Sequence, residues 1–172
     1  FVKWLNRSYG EGGVKLVPSQ GGLGQFKLKP QLAQAVFIFA EPVTLRLDKI
    51  PTKIYSVAES GYNPYTVVVA TREAFLREKP GVVRRMVRAL RKGWARYLKE
   101  PEVVNRELNL LNPTMSLAAM NLSAEMSVPY VRGEGSALGR MTMERWRILG
   151  KQLVSVGAIG KAPEPQSCFR EY

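Results

Sequence analysis

An α/β chain is what this sequence predicts: a small parallel or mixed sheet in its first part, followed by a helical portion. Three observations point there. Ala35-Val36-Phe37-Ile38-Phe39 is apolar, β-rich and short, the pattern of a strand buried on both faces. Two more β-rich runs, Ile54-Tyr55-Ser56-Val57 and Thr66-Val67-Val68-Val69-Ala70, follow at short intervals. From Thr71 onward the apolar residues instead recur with the 3.6-residue period of helices.

In chain order, Phe1 to Ser8 read as the last turns of a helix, with Phe1, Trp4 and Leu5 on one side. Tyr9-Gly10-Glu11-Gly12-Gly13 is a turn, because glycines at this density favour positive φ. Val14 to Val17 is a further strand, stopped by Pro18. Thr71 is expected to cap a helix reaching Lys79, where Pro80 interrupts. Residues 81–99 then carry Val82, Val83, Met86, Val87, Leu90, Trp94, Tyr97 and Leu98 on one face. Helices over Pro101 to Leu111, Met115 to Met126 and Thr142 to Val156 follow. Pro129 to Arg140, with three glycines, reads as a loop, and the tail from Gly157 as irregular.

Composition excludes several chemistries. The 172 residues contain no histidine, which removes the commonest general base and the commonest metal ligand. A single cysteine, Cys168, rules out an internal disulfide and a cysteine-based zinc site. Neither a Ser/His/Asp nor a Cys/His arrangement can be built, and the isolated acids form no acid–base pair. The expectation is a non-enzyme with no cofactor and no metal. No apolar run approaches the length of a membrane span.

Candidate contact residues cluster around the central stretch. Glu41 ends the buried run and precedes Pro42, which can open a helix. Open α/β sheets place ligand-contacting groups at such strand ends. Capping of the following helix, or pairing with an arginine, would equally explain an acid there. The turn Gly61-Tyr62-Asn63-Pro64-Tyr65 offers two phenols that could stack on a planar solute, with hinge packing as the alternative. Asn63 suits turn geometry for its own sake. Ser19 and Gln20, followed by Gly21-Gly22, could turn backbone amides toward a ligand or simply form a flexible loop.

Taken together, Glu41-Pro42, the Gly61–Tyr65 turn, Thr71-Arg72-Glu73-Ala74-Phe75, Lys79-Pro80-Gly81-Val82-Val83 and Ala89-Leu90-Arg91-Lys92-Gly93-Trp94 resemble one family. It is that of the solute-binding components of nitrate, sulfonate, taurine and thiamine-precursor importers of the ABC class. Asn112-Pro113, Trp146 and Val156-Gly157-Ala158-Ile159 fit it too. The resemblance implies a type II periplasmic-binding-protein-like fold, two-lobed, with ligand in the cleft between lobes.

On that mapping residues 1–66 are a portion of the second lobe. Residues 67–172 supply a crossover strand and the helices that would pack on the first lobe, whose sheet is expected to lie upstream of Phe1. The implied partners are a small-molecule solute, the importer's membrane component, and a separate first lobe or a second copy. The implied location is periplasmic, or extracytoplasmic and membrane-anchored. The implied ligand-binding residues are Glu41, Tyr62, Tyr65 and Asn63, with Ser19 and Gln20 outside them. In some relatives a carboxylate in the position of Glu41 holds the amino group of a heteroaromatic ring, as in a thiamine precursor; a small organic anion is the alternative solute. Some eukaryotic proteins of this fold make a thiamine pyrimidine by consuming a histidine of their own, which this chain lacks. Gln31-Leu32-Ala33-Gln34-Ala35 departs from the glycine and aspartate many relatives carry there.

The net charge of +12 invites a different partner, nucleic acid. Its densest source is residues 81–99, where Arg84, Arg85, Arg88, Arg91, Lys92, Arg96 and Lys99 fall largely off the apolar face. Trp94 and Tyr97 lie on that apolar face, where they read as core rather than as base-stacking groups, and no nucleic-acid-binding motif accompanies them. A solvated face is the expectation. DNA binding measured by fluorescence anisotropy should accordingly be weak, indifferent to sequence and abolished by moderate salt. Tight binding to one sequence at physiological salt would promote a basic interaction module over a receptor.

Overall fold

Helices account for all regular structure among the described residues, which are 1–12, 14–132 and 138–172 of a computed structural model. Gly13, and residues 133–137 of the expected 129–140 loop, lie outside them. The elements are α1 (Val2–Tyr9), α2 (Gly24–Leu28), α3 (Glu41–Leu47), a 3-10 turn (Val57–Ser60), α4 (Glu73–Glu78) and α5 (Pro80–Lys99). They continue with α6 (Pro101–Leu111), α7 (Leu117–Arg132), α8 (Met143–Ser155) and α9 (Pro165–Cys168). Contacts divide the chain into two units. One comprises Phe1–Val17, Tyr55–Arg88 and Gly139–Tyr172; the other comprises Pro18–Ile54 and Ala89–Leu138.

The expected sheet is not formed among the described residues, and the partial α/β, type II binding-protein architecture is corrected accordingly. Val14 to Val17, Ala35 to Phe39, Ile54 to Val57 and Thr66 to Ala70 all lack strand pairing. Ile38 and Phe39 instead enter a turn that closes when Ala40 N donates to Phe37 O at 3.0 Å. Val57 opens the 3-10 turn. The physical reason is that β-rich composition records fitness for a pleated, half-buried surface, not an intrinsic preference for a strand. An extended run has no internal hydrogen bonds and becomes a strand only beside another. These runs have no such neighbour, and Phe37 and Val67 are 50% and 78% exposed.

The helices follow their sequence signals more closely, with shifted ends. α5 starts at Pro80, whose fixed φ suits a first helical residue. α4 begins after Arg72 with no side-chain cap, so Thr71 does not cap it. α7 runs six residues beyond the expected Met126 and holds Pro129 inside it. Thr142, the expected first residue of the last long helix, instead caps α8, accepting from Arg145 N at 3.3 Å. The tail gains the short α9.

In the second-named unit, α3 and α6 both pack on α7. Pro42, Val43 and Leu45 of α3 are buried, as are Met120, Ala124 and Ser127 of α7 and Asn105 of α6. Fully burying a valine or leucine is worth about 1.5–3 kcal/mol, so this seam supplies much of the unit's cohesion. Asn105, 1% exposed, escapes the cost of a buried amide by donating to Asn121 Oδ1 at 2.8 Å. It also bonds the Tyr97 hydroxyl; burial nonetheless pushes that phenol's pKa above its ordinary value, the bond to Asn105 opposing the shift. Ser123 Oγ donates to Phe39 O at 3.0 Å, and Lys27 pairs with Asp48 at 2.7 Å.

α3 ends in a double reversal: Ile50 N donates to Leu45 O at 2.9 Å and Lys49 N to Arg46 O at 3.2 Å. That pattern calls for a left-handed residue between them, and Lys49 supplies it at φ 55°. In the first-named unit, α9 packs on α8. Gly150 of α8 is buried, and a Cβ there would lie 3.1 Å from Ala162 Cβ, so glycine is what permits this approach.

Two predictions rest on this packing. Lys49→Gly should stabilise the chain by ~1 kcal/mol, because a side chain in the left-handed region costs about 1–2 kcal/mol. An unchanged or lower denaturation midpoint would contradict that account of the α3 terminus. Because Leu110 and Leu111 of α6 are 85% and 83% exposed and α5 buries no residue, the isolated chain should bind a hydrophobic dye or self-associate. A monodisperse monomer in sedimentation that leaves the dye dark would refute this.

Candidate functional site

Glu41 occupies the first position of α3, where the partial positive charge of unpaired helical N–H groups favours an acid. Its side chain forms no cap bond, however, and joins no ion pair among the described residues. Its Oε2 atom is buried and has no hydrogen-bond partner among the described residues. A carboxylate oxygen withdrawn from water without a donor costs about 1–3 kcal/mol or more, so an N–H reaching it would relieve that cost. Arginine pairing is one of the alternatives for this acid, but Arg46, the arginine of the same helix, reaches Glu125 at 3.7 Å.

Ser19 and Gln20 lie in the same unit as Glu41, both exposed. Ser19 Oγ accepts from Gly21 N at 3.2 Å, a local turn that leaves the hydroxyl proton available. Gln34 Nε2 donates to Gly22 O at 3.1 Å and ties down the glycines that follow.

Tyr62, Asn63 and Tyr65 belong to the other unit, and there the structure brings the turn onto α8. Gly61 has φ 83°, a left-handed conformation that ends the preceding 3-10 turn and favours glycine. Gln152 Nε2 donates to Gly61 O at 2.8 Å. Arg145 does most of the rest. Its Nε donates to Asn63 O at 2.8 Å, and its Nη2 to Asn63 Oδ1 at 2.6 Å and to Pro64 O at 3.0 Å. Its Cζ sits 4.1 Å from the centroid of the Tyr65 ring, within cation–π range. The Tyr65 hydroxyl accepts from Thr142 N at 2.8 Å, and the ring meets Trp146 with centroids 5.6 Å apart. Trp146 in turn stacks on Phe169 at 6.2 Å.

Tyr62 is treated differently. Its ring tilts against Phe1 and Trp4, at 6.0 and 6.1 Å, and its hydroxyl has no partner among the described residues. Trp4 is itself held by donation from Nε1 to Ser60 O at 3.1 Å. Beside the turn lies an open depression of ≈ 300 Å³. Gly61, Asn63, Thr142, Arg145 and Gln152 line it, with Ile148 and Leu149 as its apolar portion.

Sequence reasoning reached the turn but missed Arg145, Thr142 and Gln152. A signal for Arg145 was present. A capping box puts Glu or Gln three residues after the threonine cap, and here an arginine stands in the first turn, where the helix dipole disfavours cations. A side chain placed against that preference has acceptors elsewhere.

Residues 24–103 match the family model described as NMT1/THI5 like. The matched stretch is a little under half of the chain and contains Glu41 and the whole Gly61–Tyr65 turn. No curated protein and no solved structure matches this chain. Over that stretch the chain is similar to the family, and the likeness is in line with the importer receptors that the motifs resemble.

Proposed function

We propose that this protein is the extracytoplasmic solute-binding component of an ABC-class importer, and that it takes a small planar solute bearing an amine or ring N–H. The family match over residues 24–103 supports a solute-binding role. The observation that carries the solute class is the buried Oε2 of Glu41, which has no hydrogen-bond partner among the described residues. A carboxylate in that condition accepts a charge-assisted hydrogen bond from an amino-heteroaromatic ring, as in a thiamine precursor.

Opposed charges decide between this solute and an oxyanion. Glu41 would repel nitrate or a sulfonate at contact, while the net charge of +12 attracts anions from afar. Salt screens exposed charges beyond about 10 Å, whereas a contact carboxylate acts at full strength, so the contact group governs. Tyr62 and Tyr65 are the aromatic candidates, and the membrane component of the importer is the protein partner. Exposed apolar residues on α5 and α6 give a complementary lobe or a second copy a surface to cover. The missing histidine leaves no residue to donate in the thiamine-pyrimidine synthesis of the eukaryotic relatives.

Calorimetry with 4-amino-2-methylpyrimidine tests the reading. Glu41→Gln should weaken its binding by ~1.5–3 kcal/mol, the usual worth of a hydrogen bond to a charged group. Unchanged affinity, or nitrate or a sulfonate as the tight ligand, would reduce Glu41 to a helix-end acid and refute the choice of solute.

A further inference from the structure

The two tyrosines of the turn occupy unlike surroundings. Tyr65 has a guanidinium 4.1 Å from its ring centroid, an indole beside it and a backbone N–H bonded to its hydroxyl. Among the described residues the Tyr62 side chain has only ring contacts, with Phe1 and Trp4. What creates the difference is a single side chain reaching across 80 or more positions of sequence. The guanidinium is a rigid planar fork, so three bonds from Nε and Nη2 to Asn63 and Pro64 fix the turn's position and its tilt together. The same plane then lies against Tyr65, and α8 supplies Thr142 N to hold the phenol end.

We infer that Arg145 is a positioning residue: it locks Tyr65 and the backbone of residues 63–64 against α8, and leaves Tyr62 as the tyrosine of this turn that is free to meet a solute. The lock stands on the geometry alone. The solute-contacting role of Tyr62 rests on the receptor reading proposed above. A lysine at 145 would keep the charge but not the fork, because an ammonium cannot address three fixed acceptors in one plane. Tyr65 is thereby removed from the solute-contacting set and becomes part of the frame.

Nitration of the intact chain with tetranitromethane, read residue by residue by peptide mass spectrometry, tests the assignment without any ligand. Tyr62 should react about tenfold faster than Tyr65, whose hydroxyl holds a backbone hydrogen bond and whose ring is covered by Arg145 and Trp146. In Arg145→Gln and in Arg145→Lys that difference should collapse toward equality while Tyr97, in the other unit, keeps its wild-type rate. Equal rates in the wild type, or a preserved difference in both variants, would overturn the inference. So would a parallel rise at Tyr97, which would mark Arg145 as a general stabiliser. Should both variants fail to fold, the wild-type ratio decides alone. Failure of the aminopyrimidine titration would sink the receptor reading and leave this nitration pattern standing.

Discussion

Outside the packed helices, the irregular segments of this chain are held by side-chain donors reaching backbone carbonyls, since no strand ladder ties distant segments together among the described residues. In one unit Trp4 reaches Ser60 O, Gln152 reaches Gly61 O, and Arg145 reaches Asn63 O and Pro64 O. In the other, Gln34 reaches Gly22 O, Ser123 reaches Phe39 O, and Arg132 reaches Leu98 O at 3.1 Å. Each such bond is worth on the order of 1 kcal/mol net, more where the donor is charged. A ladder repeats its bond at every second residue; these tethers are single. Irregular segments therefore keep their place through individual residues, and losing one frees a whole stretch.

Helices and irregular segments were unequally legible for the same reason. A helix satisfies its own backbone, so the apolar period over residues 81–99 and the amphipathic run from Thr142 to Val156 were sufficient signals for α5 and α8. A strand is a property of two segments at once. The run Ala35 to Phe39 has the composition of one and still forms a turn, because its pairing partner is not something its own residues encode. Pro129 misled in the opposite direction. Proline removes only one helical hydrogen bond, and α7 keeps going through it on the strength of its burial at Met120, Ala124 and Ser127.

The candidate residues were legible where their conformation is local, and their tertiary roles were not. Glu41 stood out because an acid followed by proline marks a helix entrance, and the Gly61–Tyr65 turn because its residue types are those of turns. The roles within the turn depend on α8, some 80 residues later. Nothing in Tyr62-Asn63-Pro64-Tyr65 says which phenol will be bonded and which left open. Only the anomalous arginine in the first turn of α8 carried that information, and only as a position at odds with its own helix.

The contact of Gly150 with Ala162 constrains the chain's variation in a way unrelated to any ligand. The two positions share one small volume, with room for a single methyl group between them. A side chain can be added at 150 only if one is removed at 162 or the segment before α9 moves outward. In other versions of this sequence the two residues should trade size, their summed volume held constant, so their joint pattern reports whether the C-terminal segment still seats on α8.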